Sequence, residues 1–185
     1  MTQGLRLHGE GVLRVDVRAR VRPGEMLLAG AAAWLVLNAV VYLLAPLLDV
    51  SPGTVARFFG SLVVPGAAAT VQLWTGRAVV LGAALGWSLL YPAAARHLPG
   101  QGWLQGIVYG TGIWLLSALT LPLLGALHPS PGALPPAPAA AGVAFPGLLG
   151  LGFAGAAGLI LSILAHQAFG ATLGMLLAMQ ERGAA

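Results

Sequence analysis

Four long hydrophobic runs divide this chain, at residues 26–48, 71–95, 103–127 and 155–179. The third, WLQGIVYGTGIWLLSALTLPLLGAL from Trp103 to Leu127, carries no charge along its whole length. About 20 apolar residues suffice to cross a bilayer as a helix. A backbone in lipid must satisfy its own hydrogen bonds, so a helix is the solution open to a single segment. The runs therefore predict an all-α membrane protein, a four-span helix bundle over residues 26–182. Pro23 and Glu25 suit the first helix start, and Pro46 and Asp49 mark its end. Arg77 falls within the first turns of the second span, where it must snorkel to the surface or pair. Residues 98–102 make a tight connection to the third. The hydrophobic stretch at 143–180 is too long for one straight span. Pro146, Gly147, Gly150 and Gly152 weaken its first part, which predicts a short interfacial or re-entrant piece before the fourth helix.

Other periods appear between the runs. Leu13, Val15, Val17, Ala19 and Val21 alternate with Arg14, Asp16, Arg18, Arg20 and Arg22. A period of two is that of a strand with one apolar face. Gly9-Glu10-Gly11 could turn it into a short hairpin, so residues 1–25 read as a β-patterned basic arm. An isolated hairpin is marginal in water, so the arm needs a surface: its own bundle, lipid headgroups or a partner. Ser51-Pro52-Gly53-Thr54 restarts a helix. Its apolar stripe of Val55, Phe58, Phe59, Leu62 and Val63 predicts a short helix in the membrane interface. Residues 128–142, rich in Pro, form a semi-rigid extended loop.

Composition agrees with a membrane bundle. The 185 residues are 58% hydrophobic and 8% charged, with a mean hydropathy of +0.86, whereas soluble domains carry about 25% charged residues. With no cysteine, disulfides, thiolate metal sites and cysteine nucleophiles are excluded. The net charge of +4 comes from arginine alone on the basic side, and Arg6, Arg14, Arg18, Arg20 and Arg22 all precede the first span. Such an arm could touch nucleic acid, but in this chain it serves better as a topology signal. Arg14, Arg18, Arg20 and Arg22 become candidate contacts to phospholipid or a partner. They place both termini in the cytoplasm of a bacterial inner membrane.

Two internal likenesses stand out. AAAWLVLNAVVYLLAPLLDVSPG resembles GTGIWLLSALTLPLLGALHPSPG, and Gly82-x-x-x-Gly86 in the second span matches Gly170-x-x-x-Gly174 in the fourth. Two halves of span, outer segment and span would make a parallel repeat. With Gly106 and Gly110, three spans carry paired glycines one turn apart, which let another backbone approach closely. The neighbour could lie within the monomer or in another subunit.

Candidate chemistry is sparse. Of His8, His97, His128 and His166, His166 alone lies inside a span. Counted at about 1.5 Å per residue, Asn38, Ser117 and His166 fall at similar depths and could form one intramembrane polar layer. Such groups point to function by default, as a proton relay or as a haem or quinone contact, or they act as hydrogen-bonding glue. A b-type haem held between helices needs two facing axial ligands, and no second histidine lies in a span, so haem or quinone is expected only if shared with a partner. No phosphate loop, zinc spacing or Ser-His-Asp set occurs. No metal site and no catalytic residues are expected.

Gly102-Trp103-Leu104-Gln105-Gly106, Leu121-Pro122-Leu123-Leu124-Gly125 and Ala165-His166-Gln167-Ala168-Phe169-Gly170 resemble the YagU-like family of small four-helix bacterial inner-membrane proteins. The resemblance covers the C-terminal half and implies the fold and a structural His166, with no established activity. The expected function is a non-catalytic accessory subunit of a larger membrane complex, respiratory or otherwise energy-converting. Its partners would be other integral membrane subunits and phospholipids. The alternatives are a small transporter or proton conductor using His166, Asn38 and Arg77, and a subunit contacting haem or quinone.

Overall fold

The structure is a computed structural model that describes residues 22–49, 51–129 and 151–183. Among the described residues every regular element is helical. They are α1 (Pro23–Leu44), α2 (Thr54–Val63), α3 (Ala69–Ala95), α4 (Trp103–Ala126) and α5 (Leu151–Gly183), with a 3-10 turn at Pro46–Leu48 after α1. Four of them, α1, α3, α4 and α5, are long and apolar enough to cross a membrane, as expected of a multi-pass membrane protein. Residues 1–21 of the β-patterned arm, with Arg14, Arg18 and Arg20, lie outside the described residues, as do the Pro-rich segment from residue 130 and residues 143–150, whereas Pro23, Gly24 and Glu25, assigned to the arm from the sequence, begin α1.

Local chemistry sets the helix ends. The Glu25 carboxylate accepts the Arg22 backbone N–H at 3.0 Å, closing the first turn of α1. Pro46 has no N–H to continue the ladder, so α1 stops at Leu44, four residues short of the expected end, and tightens into the 3-10 turn. Gly155 in α5 has φ +59, a conformation that costs glycine little. The apolar span within α5 runs Gly155–Gln180.

The four spans alternate in direction. α5 packs along α4 and along α1, and α1 packs on α3, while consecutive α3 and α4 touch little. The α4–α5 seam is made of glycine. A methyl on Gly106 would strike the Gly170 carbonyl, one on Gly110 the His166 carbonyl, and one on Gly174 the Gly102 carbonyl. α1 and α3 meet where Gly30 faces the fully buried side chain of Ser88. Gly82 and Gly86 are not at a close contact: a methyl on either meets nothing within 4 Å. The matched glycine pairs of the proposed repeat therefore sit in different surroundings.

The short helix packs on protein. α2 runs antiparallel to the start of α3, with Gly60 against Gln72 and Gly76 against Ala56, so closely that neither glycine has room for a methyl. Its apolar stripe buries Phe58, which stacks on the His128 ring with centroids 5.9 Å apart. His128 Nε2 lies 2.8 Å from Ser61 Oγ. This contact ties the end of α4 to α2, and defines the α2 end of the bundle.

At the opposite end, Gln105 holds the α3–α4 loop. Its Nε2 donates to Ala95 O at 2.5 Å and Leu98 O at 3.2 Å. Tyr109 Oη donates to Trp87 O at 2.7 Å, and the Tyr91 and Tyr109 rings meet edge to face at 5.0 Å. The buried core, including Phe169, Leu173 and Leu177, gathers around these tyrosines.

The glycine contacts give a direct prediction. Gly106→Ala or Gly170→Ala should destabilise the detergent-solubilised protein by about 1–3 kcal/mol, because a rigid backbone must move. Gly82→Ala should be neutral, or stabilising by up to about 1 kcal/mol from helix propensity. Thermal unfolding of the three variants checks this, and equal effects at all three positions would contradict the seam.

Candidate functional site

Because α3 and α4 are held together near their loop and part beyond it, a space opens among α1, α3, α4 and α5. It is a cavity of about 260 Å³ that reaches from Phe169 towards Ser51 and Val55 at the α2 end. Three indoles, Trp34, Trp87 and Trp114, line it beside aliphatic side chains. Asn38, Ser117 and His166 line it too, so the structure brings the three predicted polar residues to one cavity.

They do not form one layer. His166 is opposite Gly110 across the seam. Ser117 is seven residues further along α4, about 10 Å at 1.5 Å per residue. Equal depth in the sequence assumed spans that start at one plane, whereas the glycine register sets the actual offset. The polar groups form a ladder, with His166 nearest the α3–α4 loop and Arg77 towards the α2 end.

Each rung has its own hydrogen-bonding state. Asn38 Nδ2 donates to Trp34 O at 2.8 Å, one turn back on α1. His166 Nδ1 lies 2.8 Å from Ser162 O. A carbonyl can only accept, so the proton is on Nδ1, and a neutral imidazole then carries a lone pair at Nε2. No described residue bonds that Nε2. Trp34 Nε1 is buried with no hydrogen-bond partner among the described residues. Sequence reasoning passed over Trp34 as part of an apolar run. Its signal was a Trp away from the interfacial belt, where indoles ordinarily keep the N–H wet.

Arg77 lines the cavity and does pair, though with aromatic groups. Its guanidinium donates to Tyr42 Oη and lies over the Trp74 ring, 4.6 Å from the centroid. Such contacts spread its charge without a carboxylate. Arg22 is exposed at the start of α1. His97 follows α3 at the loop, and His128 belongs to the α2 contact, so among the described histidines His166 alone lines the cavity. Among the described residues no group of three or more His, Asp or Glu side chains is placed to hold a metal ion.

In comparisons with known proteins, no family model, no curated protein and no solved structure matches the chain.

An unpaired indole N–H makes a testable statement about stability. Breaking an N–H bond and leaving its buried partner unsatisfied costs about 1–3 kcal/mol. Trp34→Phe keeps most of the ring and breaks no such bond, so the protein stripped of bound small molecules should unfold within about 1 kcal/mol of wild type. A larger loss in a thermal or chemical melt would mean that Nε1 has a partner within the fold.

Proposed function

We propose that the protein is a non-catalytic integral-membrane subunit that holds a small lipid-soluble molecule between its helices. The observation that carries this reading is the cavity: apolar and indole-rich, with a few unpaired polar atoms, as small-molecule sites typically are. The separation of α3 from α4 gives it a flank towards the lipid phase. The basic arm favours a bacterial inner membrane with both termini cytoplasmic, which puts the α2 end outside. Haem fits this site only with a second ligand from a partner, since His166 alone would reach it.

Membership of a larger membrane complex, respiratory or otherwise energy-converting, belongs to the same reading. The sparse contact between α3 and α4 favours it, because a neighbouring subunit could close that flank. Gentle detergent extraction followed by a native gel and mass spectrometry should find other integral subunits with this chain. A lone monomer would count against the assembly.

The binding reading has its own test. Ala83 is exposed and on the cavity wall, so Ala83→Phe should obstruct the space with little cost to the fold. Wild type purified in mild detergent should retain a lipid-soluble molecule through washing, identified by solvent extraction and mass spectrometry. The variant should retain it about tenfold less, the equivalent of about 1.4 kcal/mol. Equal retention by both proteins would defeat the reading.

A further inference from the structure

Within the binding reading just given, on which this inference rests, the unpaired atoms narrow the ligand's chemistry. His166 offers an acceptor at Nε2, whereas Trp34 Nε1 is enclosed by protein and presents no surface to the cavity. Both side chains line the cavity. Asn38 adds Oδ1 as a further acceptor, since its amide nitrogen is engaged with Trp34 O. An ionised carboxylate has no donor to give to Nε2 or to Oδ1. A plain hydrocarbon would leave both acceptors unbonded in a low-dielectric site. A hydroxyl answers the set: its proton goes to His166 Nε2 or to Asn38 Oδ1.

We infer that the cavity binds a neutral, hydroxyl-bearing lipid-soluble molecule through His166. Its apolar body lies among Trp87, Ile113, Trp114 and Phe169. Two sources share this chemistry, a prenylated hydroquinone and a prenyl alcohol. They differ in whether the hydroxyl sits on a ring that can stack on the indoles.

The full chain in lipid nanodiscs is titrated with four probes: a short-chain prenylated hydroquinone, its dimethyl ether, farnesol, and farnesyl methyl ether. Binding is followed by tryptophan emission and by the indole N–H resonance that Trp34→Phe removes and so assigns. The expected result is that at least one hydroxyl probe binds about tenfold more tightly than its ether, a difference typical of one buried hydrogen bond. That probe should also shift the Trp34 resonance. His166→Phe should erase the preference while still binding the ether, and Ala83→Phe should weaken both probes. His166→Gln, which keeps an acceptor oxygen at this position, provides the second variant should His166→Phe fail to fold, and it should retain the preference for the hydroxyl probe. Whichever hydroxyl probe binds more tightly identifies the source. Equal affinity for hydroxyl and ether in wild type, with both weakened by Ala83→Phe, overturns the hydroxyl assignment and leaves the binding reading standing. Affinities that Ala83→Phe does not change overturn both.

Discussion

The contact on which the rest depends is the backbone-to-backbone approach of α4 and α5. Helices in lipid gain little from hiding apolar surface, because the tails are as apolar as the side chains. Association must come from close packing and hydrogen bonds. Gly106, Gly110 and Gly170 remove the side chains that would hold these two helices apart. The resulting register is specific, since each glycine faces a particular carbonyl. It fixes His166 opposite Gly110, and so sets how deep the imidazole lies and which wall it joins.

The cavity follows from where the tight contacts are and are not. α5 is committed to α4 by the seam and also packs on α1, while α1 also packs on α3. α3 and α4 are consecutive, yet Gln105 and Tyr109 bind them only near the loop. Side chains as large as Trp87, Trp114 and Ile113 then stand where a closer pair of helices would have excluded them. α2 and His128 brace the far end through Ser61 and Phe58. Two braced ends with a parted middle leave room for a ligand, whereas a fully knit bundle would not.

The spans were legible because membrane crossing imposes a length and an apolarity that any sequence must display. The neighbours were not. Gly60 and Gly76 each look like isolated glycines, and only the fold brings them to Gln72 and Ala56. Gly82 and Gly86 have the spacing of a packing motif, but among the described residues nothing lies within 4 Å of a methyl at either. Spacing alone cannot say which face of a helix a neighbour occupies. Arg77 was legible as a charge needing a partner. Trp74 stands one turn back on the same helix, whereas the Tyr42 contact depends on how α1 and α3 cross. At the site, Asn38, Ser117 and His166 could be picked out because polar groups are rare in these spans. Trp34 could not, since an indole counts as apolar until its N–H is shown to lack a partner.

That last point bears on what keeps such a cavity in the chain. Trp34 Nε1, enclosed without a partner among the described residues, opposes folding by about 1–3 kcal/mol, and the space beside it forfeits packing. Filling that space with Leu or Phe would add packing. A ligand that fills it and bonds His166 does so as well, and stabilises the native state in proportion to its occupancy. The empty bundle is then the less stable form and the loaded bundle the more stable one. On this view the cavity weakens the apoprotein for the same reason that it selects a ligand.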